Sequence, residues 1–215
     1  MDAIEAGERF AMTLGEAMFT MRAIRRLKPD PIDDLDLRDI LTAATRAPSG
    51  GNSQPWHFLV VQGPAQRQRF ADLYREAWWA KRADEGIEGP EGIVRPTAQS
   101  AMGLADEIGT APVVVLVCAN SRGPGPMASV IPAAQNLLLA ARAIGIGGTI
   151  TTLHAVVDER VHELFAIPDE VQVVYCVPLG YPKGGFGDLD RKPLPEVVSL
   201  DAWAATPGWA EDERA

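Results

Sequence analysis

The chain is 215 residues long, 47% hydrophobic and 23% charged, a composition that folds as one globular domain and excludes a disordered or collagen-like polymer. Its 29 acidic residues against 20 basic ones leave a formal net charge of -9. That argues against general affinity for DNA or RNA but leaves room for a local basic pocket. Apolar runs fall short of the roughly 20 residues of a membrane span. Met1 to Leu14 show no basic stretch followed by an apolar one, so no secretory signal is read and a cytoplasmic location is expected.

Taken in chain order, the first strong helix follows Pro29-Asp30-Pro31. Asp33 or Asp34 caps it, and Leu37, Ile40, Leu41 and Ala44 repeat at helical spacing. It stops at Ala47-Pro48, where a polar loop begins. Phe58 to Val61 reads as a short buried strand, and Pro64 opens a second helix with Phe70, Leu73, Tyr74 and Ala77 on one face. Between Asp84 and Ala98 the glycines and prolines preclude a regular element, leaving either a surface loop or a lid over a pocket. Val113 to Cys118 is a β-branched core strand. After Arg122-Gly123-Pro124-Gly125-Pro126 a long helix runs from Ala128 to Ile144, with Ile131, Ala134, Leu138 and Ala141 in register. Gly145 to Gly148 ends it, Thr149 to Leu153 looks extended, and Asp158 caps a short helix carrying Val161, Leu164 and Phe165. Val171 to Val177 is the last strong strand. Helices and strands alternate without a βαβ rhythm, so the expected class is α+β.

Two segments carry chemistry. Arg22-Ala23-Ile24-Arg25-Arg26-Leu27-Lys28 holds four cations in seven residues, and arginine offers a permanently charged fork of donors that matches phosphate oxygens. On an extended stretch Arg22, Ile24 and Arg26 face one way, with Ala23 and Arg25 on the other side. The loop Pro48-Ser49-Gly50-Gly51-Asn52-Ser53-Gln54-Pro55-Trp56 combines glycines that admit a ligand close to backbone with side chains that both donate and accept, suited to a flavin edge or a ribityl chain. Other motifs fare worse. Gly145-Ile146-Gly147-Gly148 follows a helix rather than a strand, against a dinucleotide-binding loop. His57, His154 and His162 lack metal-ligand spacing, so no metal is expected. Ser49 lacks the glycine pattern of a nucleophile elbow. Cys118 and Cys176 read as buried free thiols.

Together these segments resemble the nitroreductase family of FMN-dependent oxidoreductases. The resemblance runs from Arg22 to Pro31, through residues 47–58, to Ala111-Pro112, Gly145 to Thr149, Pro178 to Pro182 and Arg191 to Leu194. It implies an α+β fold with a mixed or antiparallel central sheet flanked by helices, and leaves out the stretch near 80–105 and the last dozen residues; the chain reads as a single domain over 1–215, with a candidate lid segment near 80–105 and a C-terminal arm near 184–215. The resemblance further implies an intertwined homodimer with two FMN sites at the subunit interface. The family's Arg-Arg-Ser start falls on Met21, Arg22 and Ala23, where two of three side chains differ; Arg22 remains, and Arg26 stands by. Arg25 matches the basic residue near the flavin pyrimidine ring. Ser49, Gly50, Asn52 and Gln54 match the loop contacts, Thr149, Ile150 and Thr151 the stretch facing the reactive flavin nitrogen, and Arg191 a late basic residue that reaches the phosphate. The implied activity is reduction of small organic acceptors, nitro compounds or quinones, by NADH or NADPH in a ping-pong mechanism. No side chain is assigned as acid or base, and Tyr74, Trp78 and Trp79 with the lid set acceptor choice. Reductive dehalogenation, flavin breakdown and non-catalytic flavin binding are the alternatives.

Overall fold

The structure, a computed structural model, describes residues 1–211. Four antiparallel strands form its sheet: β1 (Trp56–Val61), β2 (Val113–Ala119), β3 (Gly147–Gly148) and β4 (Gln172–Gly180), in spatial order β1-β2-β4-β3. The seven helices of the described residues are α1 (Ala3–Arg9), α2 (Leu14–Thr20), α3 (Asp34–Ala44), α4 (Pro64–Asp84), α5 (Pro96–Glu107), α6 (Pro124–Ala143) and α7 (Asp158–Phe165). The α+β class expected from the sequence is the one found.

β2 is apolar at every position because both faces of the sheet are covered. Val113, Val115, Val117 and Ala119 face α3 and α6, while Val114, Leu116 and Cys118 face α4, α5 and α7. Period-two alternation of strand side chains therefore feeds two cores from one strand. On β4 the alternation slips: the register with β2 shifts between Val117 and Cys118, and Val174 and Tyr175 both turn toward the α3–α6 core. An extra residue in one strand of a pair produces this pattern. Both cysteines are free and buried, and burial pushes the Cys118 thiol up to about 12.

Local chemistry sets the helix boundaries. The Asp33 side chain accepts from the Leu35 amide and caps α3; Pro64 stands in the first turn of α4, where its missing N–H is no loss. Three helices arise where the sequence pattern shows none. α1 is held by a reciprocal cap between Asp2 and Glu5 and docks on α3 through Arg9, which pairs with Asp36 and donates to Asp39 at 2.8 Å. α2 is capped by Thr13. α5 opens at Pro96, so the irregular stretch expected over 84–98 ends at Arg95. It holds a short turn at Pro90–Gly92 and is pinned by Ile93, which is buried beside Phe70 and Trp78.

Three other expectations are corrected. Ile131 is 42% exposed, and the buried face of α6 runs instead through Val130, Ala133, Ala134, Leu137, Leu138 and Ala141; a helix apolar around most of its circumference fits two registers equally well. Thr149 to Leu153 is not a strand. Pairing ends at Gly148, except for one bridge between Thr151 and Cys176, and Leu153–Val157 forms a 3₁₀ turn. At α7, Val157 occupies the cap position and Asp158 begins the helix without capping it.

Gly148 has no room for a side chain. A Cβ there would lie 2.8 Å from both Leu179 Cδ2 and the Pro178 carbonyl oxygen, and the latter belongs to backbone that cannot swing aside. Gly148→Ala is expected to destabilise the fold by about 1–3 kcal/mol, read as a lower denaturant midpoint with an unchanged slope.

Candidate functional site

The basic segment is held by backbone. Ile24 N–H donates to the Gly148 carbonyl at 2.9 Å, Lys28 N–H to Tyr181 at 2.7 Å, and Lys183 N–H to Arg26 at 2.9 Å. These bonds are possible because glycine lies beneath the segment: a Cβ on Gly147 would fall 2.8 Å from Ile24, and one on Gly180 would fall 3.1 Å from Leu27. Ile24 and Leu27 are buried there with Ala111. Burial thus recurs at a step of three residues, not two, so Arg22, Ile24 and Arg26 do not share one face in the way strict alternation predicts. Arg22, Ala23 and Arg26 are exposed, while Arg25 is half-buried.

Arg25 lines a cavity of about 530 Å³ with Tyr74, Trp78, Thr149, Ile150 and Thr151. Thr151 is the anchor of this wall. Its N–H and carbonyl each bond Cys176 at 2.9 Å, and its hydroxyl meets the Tyr74 hydroxyl at 2.7 Å. Burial pushes the Tyr74 phenol up to about 12, against smaller opposing effects from the Thr151 hydrogen bond and Arg25. Thr149 is buried, yet its hydroxyl meets the Ile150 carbonyl only at 3.4 Å. Ile150, exposed between these two threonines, faces the opening. Four of the residues expected from the sequence, Arg25, Thr149, Ile150 and Thr151, are therefore brought together.

The polar loop is elsewhere. It forms a tight turn at Gly50–Asn52, in which the Ser49 hydroxyl accepts from Gln54 N–H at 3.1 Å and Gly50 N–H donates to the Ser129 hydroxyl at 3.2 Å. Gly51, Asn52 and Gln54 all have positive φ, at 58°, 55° and 48°. For residues with side chains that conformation is strained, and strain of this kind gathers at binding sites. The Asn52 and Gln54 side chains are exposed and bond each other at 3.2 Å.

Sheet order separates the two halves. The loop enters β1 at one edge, beside Ala119 at the end of β2, whereas the basic segment pairs beyond Gly180 and against β3 at the other edge. Strand spacing and rise put about 14 Å sideways and about 20 Å lengthwise between them. Ser49, Gly50, Asn52 and Gln54 do not meet Arg25 within one chain. Arg191 joins neither half: it is exposed and donates to the carbonyl of its neighbour Asp190 at 2.8 Å.

Sequence reasoning passed over Lys81 and Arg82, which line the same cavity, and Ser129, which fixes Gly50. A signal for the first pair exists: Tyr74, Trp78, Lys81 and Arg82 recur at i, i+4, i+7 and i+8, one helical face.

Comparison with known proteins decides the family. The model of the nitroreductase family matches residues 20–181. The chain belongs to the nitroreductase family. A relative from Archaeoglobus fulgidus, a putative NADH dehydrogenase/NAD(P)H nitroreductase, is 31% identical over 86% of this chain and 96% of its own. A 5,6-dimethylbenzimidazole synthase from Rhodospirillum rubrum is also 31% identical, over 86% of this chain and 87% of its own. Among solved structures, the FMN-dependent nitroreductase NfnB from Mycobacterium smegmatis in complex with NADPH superposes with a TM-score of 0.67 at 25% identity, covering 94% of this chain and all of the other. Nitroreductase relatives thus share the fold over nearly its full extent.

The Tyr74–Thr151 bond is the joint between α4 and the cavity wall. Tyr74→Phe is expected to lose about 0.5–1.5 kcal/mol at neutral pH. The wild type keeps Tyr74 protonated when folded but loses that proton from about pH 10 when unfolded, so its stability falls as pH rises from 10 toward 12. Denaturant unfolding across that range should show a shallower decline in Tyr74→Phe.

Proposed function

We propose that this nitroreductase-family protein is an FMN-dependent oxidoreductase that takes electrons from NADH or NADPH, and that each of its flavin sites is assembled from two copies of the chain. The observation that carries this reading is the placement of Arg25 against Thr149–Thr151 in one cavity, with the matching polar loop at the far edge of the sheet. A second copy related by a two-fold axis brings the loop of one chain to the cavity of the other, twice. Exposed apolar side chains support such a dimer, among them Phe19 at 74%, Trp209 at 67% and Trp203 at 96%; the last two lie in the C-terminal arm.

The residues present fit a flavin. Arg22 and Arg26 are exposed cations beside the cavity and would hold the phosphate, with Ala23 allowing close approach and Arg191 reaching it from the arm. Arg25 would face the pyrimidine ring, where a fixed cation stabilises negative charge on the reduced ring system. Thr149, Ile150 and Thr151 would line the reactive edge, the buried Thr149 hydroxyl being weakly engaged by protein. From the partner, the Ser49–Gln54 loop would supply amides and side-chain donors. When bound, FMN supplies two-electron redox chemistry between NAD(P)H and an organic acceptor such as a nitro compound or a quinone, so donor and acceptor share one opening in turn. Tyr74, Trp78 and Trp79, with the segment pinned by Ile93 as a lid, would set acceptor choice. A nicotinamide-fed reaction of this kind belongs in the cytoplasm.

Purified protein loaded with FMN is expected to lose its yellow absorbance on anaerobic addition of NADH or NADPH and regain it with a quinone or nitroaromatic. Flavin that stays oxidised would refute the oxidoreductase reading. The shared site has its own test. An Arg22→Ala/Arg25→Ala chain and an Asn52→Ala/Gln54→Ala chain should each hold FMN poorly. Refolded together, they should form mixed dimers in which one of two sites is intact. Recovery of about half a flavin per chain in the isolated mixed dimer, by absorbance, is expected; no recovery would place the site within one chain.

A further inference from the structure

The far end of the cavity is built from the last turns of α4, beyond the part assigned to flavin. Three cations line the cavity, Arg25, Lys81 and Arg82, against one carboxylate, Asp84. Lys81 is exposed and has no ion-pair partner among the described residues. Arg82 is mostly buried, and its guanidinium lies over the Trp78 ring, 4.6 Å from the centroid. One of its terminal nitrogens donates to Glu85 at 2.8 Å. Its Nε–H and the indole Nε1–H of Trp78 are both closed off from solvent and have no partner among the described residues.

Two buried donors left open, next to an exposed ammonium, make an end of the cavity in which donors outnumber acceptors, Asp84 being the one carboxylate that lines it. Buried N–H groups are nearly always paired, and unpaired ones ask for an acceptor. Neither Arg nor Trp can supply one: both side chains are donors only. The remaining walls combine Tyr74, Leu104, Ile150 and Leu153 with the threonines at 149, 151 and 152, and their aromatic and aliphatic part suits a flat ring.

We propose that Trp78, Lys81 and Arg82 form a carboxylate-recognising subsite, so that the preferred acceptors are aromatic acids rather than neutral aromatics. This rests on the flavin reading of the adjoining Arg25–Thr151 wall, which places the acceptor ring there. A carboxylate offers two oxygens to the orphaned Nε–H and Nε1–H while its charge is met by Lys81. An amide of the same shape offers one acceptor and carries two donors of its own into a donor-lined end. The flavin carbonyls are the competing occupants of the same donors, and they make a different prediction: loss of flavin affinity when the donors are removed.

The test uses FMN-loaded protein titrated with 4-nitrobenzoate and with 4-nitrobenzamide, followed by flavin absorbance and by tryptophan fluorescence. The wild type should bind the acid about tenfold more tightly than the amide, with the preference shrinking as salt is added. Lys81→Met changes an exposed side chain and should remove much of that preference while leaving FMN affinity unchanged. Trp78→Phe keeps an aromatic face, smaller than the indole, and deletes the donor, and should weaken the acid more than the amide. Equal binding of acid and amide by the wild type, or a preference that survives both substitutions, would overturn the subsite. Loss of FMN in Lys81→Met and Trp78→Phe would assign the donors to flavin and overturn it as well. A protein that takes up no FMN would defeat the flavin reading, and the fluorescence titration would still decide the acid preference.

Discussion

Close backbone approach at three glycines is the constraint on which the rest of the structure depends. Gly147, Gly148 and Gly180 each sit where a Cβ would fall 2.8–2.9 Å from a neighbouring heavy atom. Gly147 and Gly180 let the chain at Ile24–Lys28 lie close enough to bond the backbone beneath it, and Gly148 lets β3 lie against the end of β4. Ile24 and Leu27 are then driven inward by burial, and the arginines between and around them are left to the surface. A cationic strip is thereby fixed on a sheet edge with no salt bridge among the described residues to neutralise it. Charge is kept available because geometry, not pairing, holds the segment.

The wall opposite is fixed by a different means. Beyond Gly148 the strand stops, yet Thr151 recovers one two-way bridge to Cys176 and a hydroxyl contact to Tyr74. The result is a short bowed stretch with Ile150 displaced toward the opening. Backbone that leaves a sheet and rejoins it one residue at a time presents its edge to a ligand in a way a continuous strand cannot. The polar loop reaches the same end through strain: Asn52 and Gln54 adopt positive φ, and turn geometry turns their side chains outward.

Much of this was legible in the sequence. α3, α4, β1, β2 and β4 carry strong periodicity or β-branched runs, and their caps and prolines mark the ends. The family was legible through resemblance, and the structure groups Arg25 with Thr149–Thr151 at one cavity. What escaped has physical causes. α1 and α2 are short and bury little, so their patterns are faint; they form by capping and by the Arg9 contact with Asp36 and Asp39. α6 is apolar on too many sides for its register to be read. The separation of the loop from the basic segment depends on strand order, which no local pattern encodes. Lys81 and Arg82 share a helical face with Tyr74 and Trp78, but that this face lines a cavity shows only once α4 is packed.

The backbone bonds of the basic segment span most of the chain. Ile24 waits for Gly148, and Lys28 waits for Tyr181. During synthesis the N-terminal arginines therefore emerge long before the glycines that will seat them, and closing so long a loop carries an entropic penalty that local helices do not face. The cationic strip needs both ends of the chain before its backbone bonds can close. A nascent chain can form α3, α4 and the β1–β2 pair from local contacts, whereas the seating of Ile24–Lys28 needs Gly148 and Tyr181.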